Sequence, residues 1–195
     1  MGLYVLIYIV AYLIGSLNAA LLLSDFFGLE DPRKDGSGNP GATNVLRLSG
    51  KLPALYVLLG DAAKGAIAVC IGYLANLEPA AVGFVGLCAL LGHMYPIFYR
   101  FKGGKGIATM LGVCLALSPW LGLGFITAWV AVALIYRYSS LAGILASILM
   151  PLMTIRIEAN YFPGLFIGCL FVLWRHRTNI GALLAGTEEK INIKS

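Results

Sequence analysis

Long apolar runs separated by short polar segments dominate the chain. Seven such runs predict helices, at 3–23, 53–77, 80–99, 107–117, 120–136, 141–154 and 161–174. A helix that crosses a bilayer needs about 20 residues at a rise of 1.5 Å each, so the runs that begin at residues 107, 141 and 161 are short and either tilt or stop partway. The pattern predicts an all-α polytopic membrane protein with about seven transmembrane helices, and run lengths alone allow five to seven.

The basic residues orient these helices. Twelve of the fourteen Lys and Arg residues fall in segments 24–52, 100–106, 137–140 and 175–195, which alternate with nearly uncharged turns. Basic loops stay in the cytoplasm, so we expect the N-terminus outside, the C-terminus in the cytoplasm and any active site at the cytoplasmic face. The first apolar run lacks a basic leader and is too long for a signal peptide, so it is expected to be a retained span.

Composition agrees with a single integral membrane domain over residues 1–195. Apolar residues make up 59% of the chain and charged residues only 12%, and a soluble core of this size could not cover so much apolar surface. The net charge of +5 would suggest a nucleic-acid partner in a soluble protein. Here the basic residues lie between spans, so no nucleic acid is expected, and nothing indicates an obligate protein partner.

The first cytoplasmic segment has the composition of an anion site. Glycines let backbone amides approach a ligand, while hydroxyl, amide and guanidinium groups donate hydrogen bonds to it. An ordinary polar turn is the alternative. The candidate residues are Gly36, Ser37, Gly38, Asn39, Gly41, Thr43, Asn44 and Arg47.

A second candidate is the segment Lys102-Gly103-Gly104-Lys105-Gly106, which directly precedes the predicted helix at 107. Free N–H groups and the positive dipole end at a helix start favour phosphate, and an ammonium supplies the compensating charge. The sequence is not a Walker A motif, so nucleotide hydrolysis is disfavoured. A basic loop that only sets topology is the alternative.

Further candidates lie at the ends of the spans or within them. His176 and Asn179 are three residues apart and share a face if the last helix continues, although an interfacial histidine is as good an interpretation of His176. Within the second run, Asp61 and Lys64 are spaced to pair, as a functional or a structural ion pair. His93 lies where it could orient the lysine-glycine segment. Ser139 and Ser140 lie where a hydroxyl could reach a polar headgroup, although a serine at a helix start more often caps the helix.

Several chemistries lack their residues. The four cysteines show no paired spacing and join no histidine cluster, so no metal and no cofactor is expected. No Gly-x-Ser-x-Gly elbow occurs, and neither His93 nor His176 is followed by Asp five residues on. A nucleophile on the protein is therefore not indicated.

The order of these motifs resembles the bacterial acyl-phosphate-dependent glycerol-3-phosphate acyltransferases. The resemblance rests on segments 36–44, 92–96, 102–106 and 176–179 and spans essentially the whole chain. It implies a bacterial inner-membrane enzyme that transfers a fatty acyl group from acyl phosphate to the sn-1 hydroxyl of glycerol 3-phosphate, giving lysophosphatidic acid and phosphate in phospholipid biosynthesis. Acyl phosphate, glycerol 3-phosphate and membrane lipid are thus the expected partners.

Carried over by position, the resemblance assigns catalytic roles to Ser37, Asn44, Arg47, Lys105 and His176. The residues expected to bind substrate are Gly36, Gly38, Asn39, Gly41, Thr43, His93, Lys102, Gly103, Gly104, Gly106, Ser140 and Asn179. The resemblance places Ser140, His176 and Asn179 at the glycerol 3-phosphate site. This chain departs from the family at Thr178, where Glu is common, so any structural role of that acid must be met by another residue.

A transporter for a phosphorylated or other anionic metabolite is the rival interpretation, because short helices and glycine-rich segments also build transport sites. All the anion-binding features lie on one face, however, and no inverted repeat is visible. A non-catalytic membrane scaffold would leave both glycine-rich segments unexplained.

Overall fold

The computed structural model describes residues 1–191, and the remaining four, which include Lys194 of the predicted cytoplasmic C-terminus, lie outside the described residues. Ten α-helices form in this part of the chain. They are α1 (Gly2–Ser16), α2 (Ala19–Phe27), α3 (Ala42–Ser49), α4 (Lys51–Leu74), α5 (Pro79–Met94), α6 (Ile107–Leu117), α7 (Pro119–Tyr136), α8 (Ser139–Ile157), α9 (Phe162–Arg175) and α10 (Arg177–Leu184). Short 3-10 helices at Ile97–Tyr99 and Ala159–Tyr161 complete the regular structure, and residues 1–191 contain no strand. The predicted all-α class is confirmed.

Within residues 1–191, four helical segments are long and apolar enough to cross a bilayer: α4, α5 with its extension to Tyr99, α7 and α8. The bent pair α1 and α2 makes five if it counts as one span. The run at 141–154, predicted to be short, lies within the 19-residue helix α8, because the less apolar residues at both of its ends are also helical. Helices α6 and α9, with 11 and 14 residues, are as short as predicted. The count of about seven spans stays a prediction.

The first apolar run forms two helices, not the single helix that its continuous hydropathy predicts. α1 and α2 are bent by 43° around Leu17 and Asn18, whose side chain accepts a hydrogen bond from the Leu21 amide at 3.1 Å and so begins a new helix. The carbonyl of Leu17 accepts a hydrogen bond from Lys64 Nζ at 2.6 Å. A buried cation thus satisfies a backbone group that the break frees inside the membrane domain.

Small residues allow the helices to approach closely. α4 packs extensively on α6, and α1 on α5. A Cβ atom at Gly112 of α6 would collide with the Ala62 backbone of α4, and one at Gly92 of α5 would collide with the Tyr12 backbone of α1. These contacts bury a continuous apolar core that includes Val69, Leu90 and Met110, while the outer faces of α1, α4 and α7 expose large apolar side chains, as lipid-facing helices do.

Candidate active site

A cavity of about 590 Å³ lies where the predicted cytoplasmic segments meet the helices. Its volume is in the range of ligand-binding clefts. Twelve of the residues predicted for the site line it: Ser37, Asn39, Gly41, Thr43, Asn44, Arg47, His93, Lys105, Gly106, Ser140, His176 and Asn179. Five do not line it: Gly36, Gly38, Lys102, Gly103 and Gly104.

Asn44 organises the first glycine-rich segment. It is 1% exposed, its Oδ1 accepts a hydrogen bond from the Ser37 amide at 2.9 Å, and its Nδ2 donates to the carbonyls of Pro32 at 2.8 Å and Asp35 at 3.1 Å. Three backbone groups of one loop thus converge on one amide side chain. The geometry indicates that Asn44 shapes the loop around the cavity, and the catalytic role expected of it stays a prediction.

Gly36 and Gly38 determine the conformation of the same loop without lining the cavity. Their φ angles are +60° and +66°, a region that residues with a Cβ avoid. A Cβ atom at Gly36 would also collide with Oδ1 of Asn44. These glycines therefore set the loop conformation and do not contact the cavity.

The lysine-glycine segment is anchored on both sides. The Gly104 amide donates to the His93 carbonyl at 3.2 Å, and the Gly103 and Gly104 carbonyls accept hydrogen bonds from Arg175 at 2.6 and 3.1 Å. Lys102 is exposed and lies outside the cavity. Of the two lysines, only Lys105 reaches the site.

Gly106 directly precedes α6, and its φ of +88° makes the turn into the helix. The first N–H groups of an α-helix have no partner within it. Gly106, Ile107 and Ala108 all line the cavity, so this helix start meets the cavity with its N–H groups and its positive dipole end, the arrangement that favours an anion.

Lys105 belongs to a hydrogen-bonded network that joins distant parts of the chain. Its Nζ donates to Asn179 Oδ1 at 2.5 Å, and Asn179 Nδ2 donates to Glu188 Oε1 at 2.8 Å. Ser140 Oγ donates to the same carboxylate oxygen at 2.5 Å. Burial lowers the pKa of the Lys105 ammonium from its ordinary value, which is typical of a cation in a partly dry site.

The C-terminal segment 187–191 returns to the cavity. Gly186, with φ of +71°, turns the chain after α10, and the Ile191 amide donates to the Arg137 carbonyl at 2.6 Å. Glu189 then lies 3.2 Å from Arg47 Nη1. Glu188 and Glu189 thus place carboxylates against donors that the sequence assigns to substrate phosphate, which indicates that these donors accommodate anions.

Three residues at or beside the site were missed by the sequence analysis: Arg175, Glu188 and Glu189. Ser139 Oγ lies 2.8 Å from Thr43 Oγ1 and so joins the start of α3 to the start of α8. For Glu188 and Glu189, the only signal in the local sequence was that two adjacent acidic residues stand in a basic C-terminal segment. Glu188 accepts a hydrogen bond from Asn179, whereas Thr178, where the resemblance implied a departure from the family, is exposed.

His176 is buried, 2% exposed, just beyond the end of α9. Its Nδ1 lies 2.8 Å from the Val172 carbonyl, and because a carbonyl only accepts, Nδ1 carries the proton and Nε2 is the ring nitrogen available to a ligand. Burial lowers the pKa of His176 to about 4. The ring is therefore neutral at physiological pH and presents an acceptor.

An apolar part of the cavity wall extends along the helices. It is lined by Ala54, Leu55, Leu58, Ile107, Ala108, Leu111, Phe125, Ile126, Trp129 and Val130. From Ala54 to Asp61 the lining follows α4 for about 10 Å at 1.5 Å per residue. The cavity thus joins a polar, anion-binding end to an apolar groove among α4, α6 and α7.

The predicted pair Asp61 and Lys64 forms at the base of this region. Their charged atoms are 2.8 Å apart, and His93 Nδ1 lies 3.5 Å from the same Asp61 oxygen. Lys64 also holds the Leu17 carbonyl, so the structural interpretation of the pair has direct support. His93 lines the cavity and also anchors Gly104 through its backbone.

Comparison with known proteins identifies the family. A family model described as glycerol-3-phosphate acyltransferase matches residues 5–186. The chain belongs to the glycerol-3-phosphate acyltransferase family. A member from Coxiella burnetii (strain Dugway 5J108-111) is 47% identical over 192 residues, which cover 97% of this chain and 99% of that relative. Another, from Legionella pneumophila (strain Corby), is 44% identical over 196 residues, which cover all of this chain and 71% of that relative.

Solved structures of the family share the fold. The crystal structure of PlsY (YgiH), an integral membrane glycerol 3-phosphate acyltransferase, in its glycerol 3-phosphate form superposes with a TM-score of 0.91 at 38% identity, covering 97% of this chain and 96% of that one. Its lysophosphatidic acid form gives a TM-score of 0.89, covering 96% and 94%. The family resemblance found in the sequence is confirmed, as is the integral membrane fold.

Proposed function

We propose that this enzyme transfers a fatty acyl group from acyl phosphate to the sn-1 hydroxyl of glycerol 3-phosphate, giving lysophosphatidic acid and inorganic phosphate. The observation that carries the proposal is the single cavity whose polar end gathers both glycine-rich segments, Arg47 and Lys105, and whose apolar wall follows the helices. Such a cavity suits two phosphate groups and one lipid chain. Family membership independently supports acyl transfer to glycerol 3-phosphate.

The two phosphates occupy different sides of the polar end in this proposal. Ser140, Asn179 and Lys105 are joined through hydrogen bonds around the Glu188 carboxylate, and we assign this side to the phosphate of glycerol 3-phosphate. The first loop, ordered by Asn44 and flanked by Arg47, is assigned to the phosphate of the acyl donor. The acyl chain then lies in the groove among α4, α6 and α7.

The reaction needs no acyl-enzyme. Acyl phosphate is a mixed anhydride with phosphate as a good leaving group, so the glycerol hydroxyl attacks the carbonyl carbon directly, the new C–O ester bond forms and the bond to phosphate breaks. Lys105, Arg47 and the amides at the start of α6 position the phosphates and stabilise the charge that develops.

The hydroxyl proton has two routes, to a phosphate of the substrates or to His176 Nε2. The geometry supports an acceptor at Nε2, but a ring whose pKa is about 4 is a weak base. His176→Gln separates the routes. A wild-type kcat and pH profile in this variant would exclude histidine as the base, whereas a loss of kcat with a changed profile would support it.

We further propose that the protein resides in a bacterial inner membrane as a single domain, with its N-terminus outside and this cavity at the cytoplasmic face. The basic residues around the cavity entrance and the nearly uncharged opposite loops support this orientation. Labelling of single cysteines in intact cells tests it. A cysteine at Glu78 should react with an impermeant reagent, and one at Lys102 should not.

The decisive test of the donor is product formation by the purified protein in detergent. Palmitoyl phosphate with glycerol 3-phosphate should yield lysophosphatidic acid and phosphate in equal amounts, with phosphate release requiring both substrates. Palmitoyl-coenzyme A supplied instead should give no product. Turnover with the thioester but not with acyl phosphate would refute the proposed donor while leaving the family's acyl transfer intact.

A further inference from the structure

Arg175 holds the backbone of the lysine-glycine segment from the side away from the cavity. We propose that it is a positioning residue, whose guanidinium fixes the orientation of the Lys105 amide and side chain toward the substrate phosphate. The proposal rests on the phosphate role of Lys105 given above. The sequence assigned Arg175 only to membrane topology.

The contact is a fork between one guanidinium and two consecutive carbonyls. Arg175 Nη2 donates to the Gly103 carbonyl at 2.6 Å, and Nε donates to the Gly104 carbonyl at 3.1 Å. Hydrogen bonds from charged donors are the stronger ones, and the planar fork is specific to arginine. Lysine could hold one of these carbonyls but not both in the same geometry.

Peptide geometry converts this contact into an orientation of the loop. In a trans peptide the C=O and the following N–H point in opposite directions. The Gly103 carbonyl faces Arg175, and the Gly104 N–H accordingly faces the other way, where it donates to His93 at 3.2 Å. By the same rule, the Lys105 N–H points away from Arg175.

That opposite side is the side of the cavity. His93, Lys105 and Gly106 line the cavity, whereas Gly103, Gly104 and Arg175 do not. A Cβ atom at Gly104 would collide with the His93 ring, so the loop is confined between that ring and the guanidinium. The contact with Arg175 thus holds the segment in an orientation in which the N–H and the side chain of Lys105 face the cavity.

The guanidinium itself is held in place. Its Cζ lies 5.3 Å from the centre of the Tyr95 ring, a distance at which a cation is attracted by the ring face. The Tyr95 carbonyl accepts a hydrogen bond from Tyr12 at 2.7 Å, which ties this aromatic support to α1. Arg177 offers a matched control, because it is exposed and its guanidinium donates to the Trp174 carbonyl and lies over the Trp174 ring, away from the lysine-glycine segment.

The test compares Arg175→Gln, Arg175→Lys and Arg177→Gln, with Lys105→Ala as a reference for the phosphate site. The measurements are KM for glycerol 3-phosphate, kcat, inhibition by inorganic phosphate and thermal stability in detergent. Arg175→Gln should raise KM by about tenfold or more, corresponding to about 1.4 kcal/mol, and weaken phosphate inhibition in parallel. Arg175→Lys should lie between it and the wild type, and Arg177→Gln should stay within about twofold of the wild type.

The outcomes distinguish a failure of the positioning role of Arg175 from a failure of its premise, the phosphate role of Lys105. A well-folded Arg175→Gln with unchanged KM and phosphate inhibition would overturn the positioning role, as would a loss of thermal stability alone. If the glutamine variant does not fold, an Arg175→Lys variant with wild-type KM would overturn it equally. If Lys105→Ala also left KM and phosphate inhibition unchanged, the proposed phosphate site itself would be wrong.

Discussion

Replacing Asn44 with alanine tests whether this residue shapes the first glycine-rich loop. The change removes three hydrogen bonds, one accepted from the Ser37 amide and two donated to the carbonyls of Pro32 and Asp35. At a net value of about 0.5–1.5 kcal/mol each, the loop conformation loses about 1.5–4.5 kcal/mol. If the reaction needs the ordered loop, kcat/KM should fall by about 10- to 1,000-fold.

The loop lies outside the apolar core, so the thermal midpoint in detergent should change far less than activity does. Hydrogen exchange separates loop order from direct catalysis, because loosening should speed exchange of the Ser37 amide and its neighbours. Asn44→Asp provides a second variant, since a carboxylate accepts from Ser37 but cannot donate to either carbonyl, and it should behave like alanine. Lost activity with unchanged exchange across this loop would refute the organising role, and so would full activity in the alanine variant.

Three further predictions follow from the charges and the buried histidine. Glu189→Gln releases Arg47 from a largely exposed ion pair of 3.2 Å, so KM for a phosphate substrate should fall by about two- to fivefold; an increased KM would contradict competition between carboxylate and phosphate. Asp61→Leu leaves Lys64 buried without its counter-charge and should destabilise the protein by about 3 kcal/mol or more, seen as a lower thermal midpoint that a second change, Lys64→Met, partly restores. The folded pKa of His176 is about 4, below its ordinary value near 6.5, so this residue contributes stability above pH 6.5 that is lost as pH falls toward 4, by up to about 1.4 kcal/mol per pH unit. His176→Gln should remove this part of the pH dependence of the thermal midpoint. An unchanged slope between pH 4 and 6.5 would show that His176 is protonated in the folded protein over that range.

The local sequence is enough to predict those features that a segment determines by itself. Helices α4, α5, α7 and α8 follow from continuous apolar runs, and both glycine-rich segments stand out because glycines and donors are costly in a chain that is mostly apolar. The pairing of Asp61 with Lys64 follows from helical spacing alone. These features depend on neighbours within a few residues, which is the range that a sequence pattern covers.

The sequence pattern could not predict the features that depend on contacts between distant parts of the chain. The bend at Asn18 interrupts a run that is mostly apolar, and it is stabilised by Lys64, 47 residues from Leu17. The return of Glu188 to Ser140 spans 48 residues, and nothing in the tail itself indicates its path. Arg175 was assigned to topology because a basic residue at a helix end already has that explanation.

The central claim is that the lysine-glycine segment binds substrate phosphate through Lys105. The most direct measurement compares Lys105→Ala with Lys102→Ala, a change in the same segment at an exposed lysine outside the cavity, in steady-state assays with palmitoyl phosphate and glycerol 3-phosphate. We predict that kcat/KM falls by at least about a hundredfold in Lys105→Ala, the scale expected for the loss of a half-buried charged donor, and changes by less than about threefold in Lys102→Ala. Equal effects of the two changes, or a Lys105→Ala enzyme that retains its activity, would contradict the assignment of this cavity as the active site.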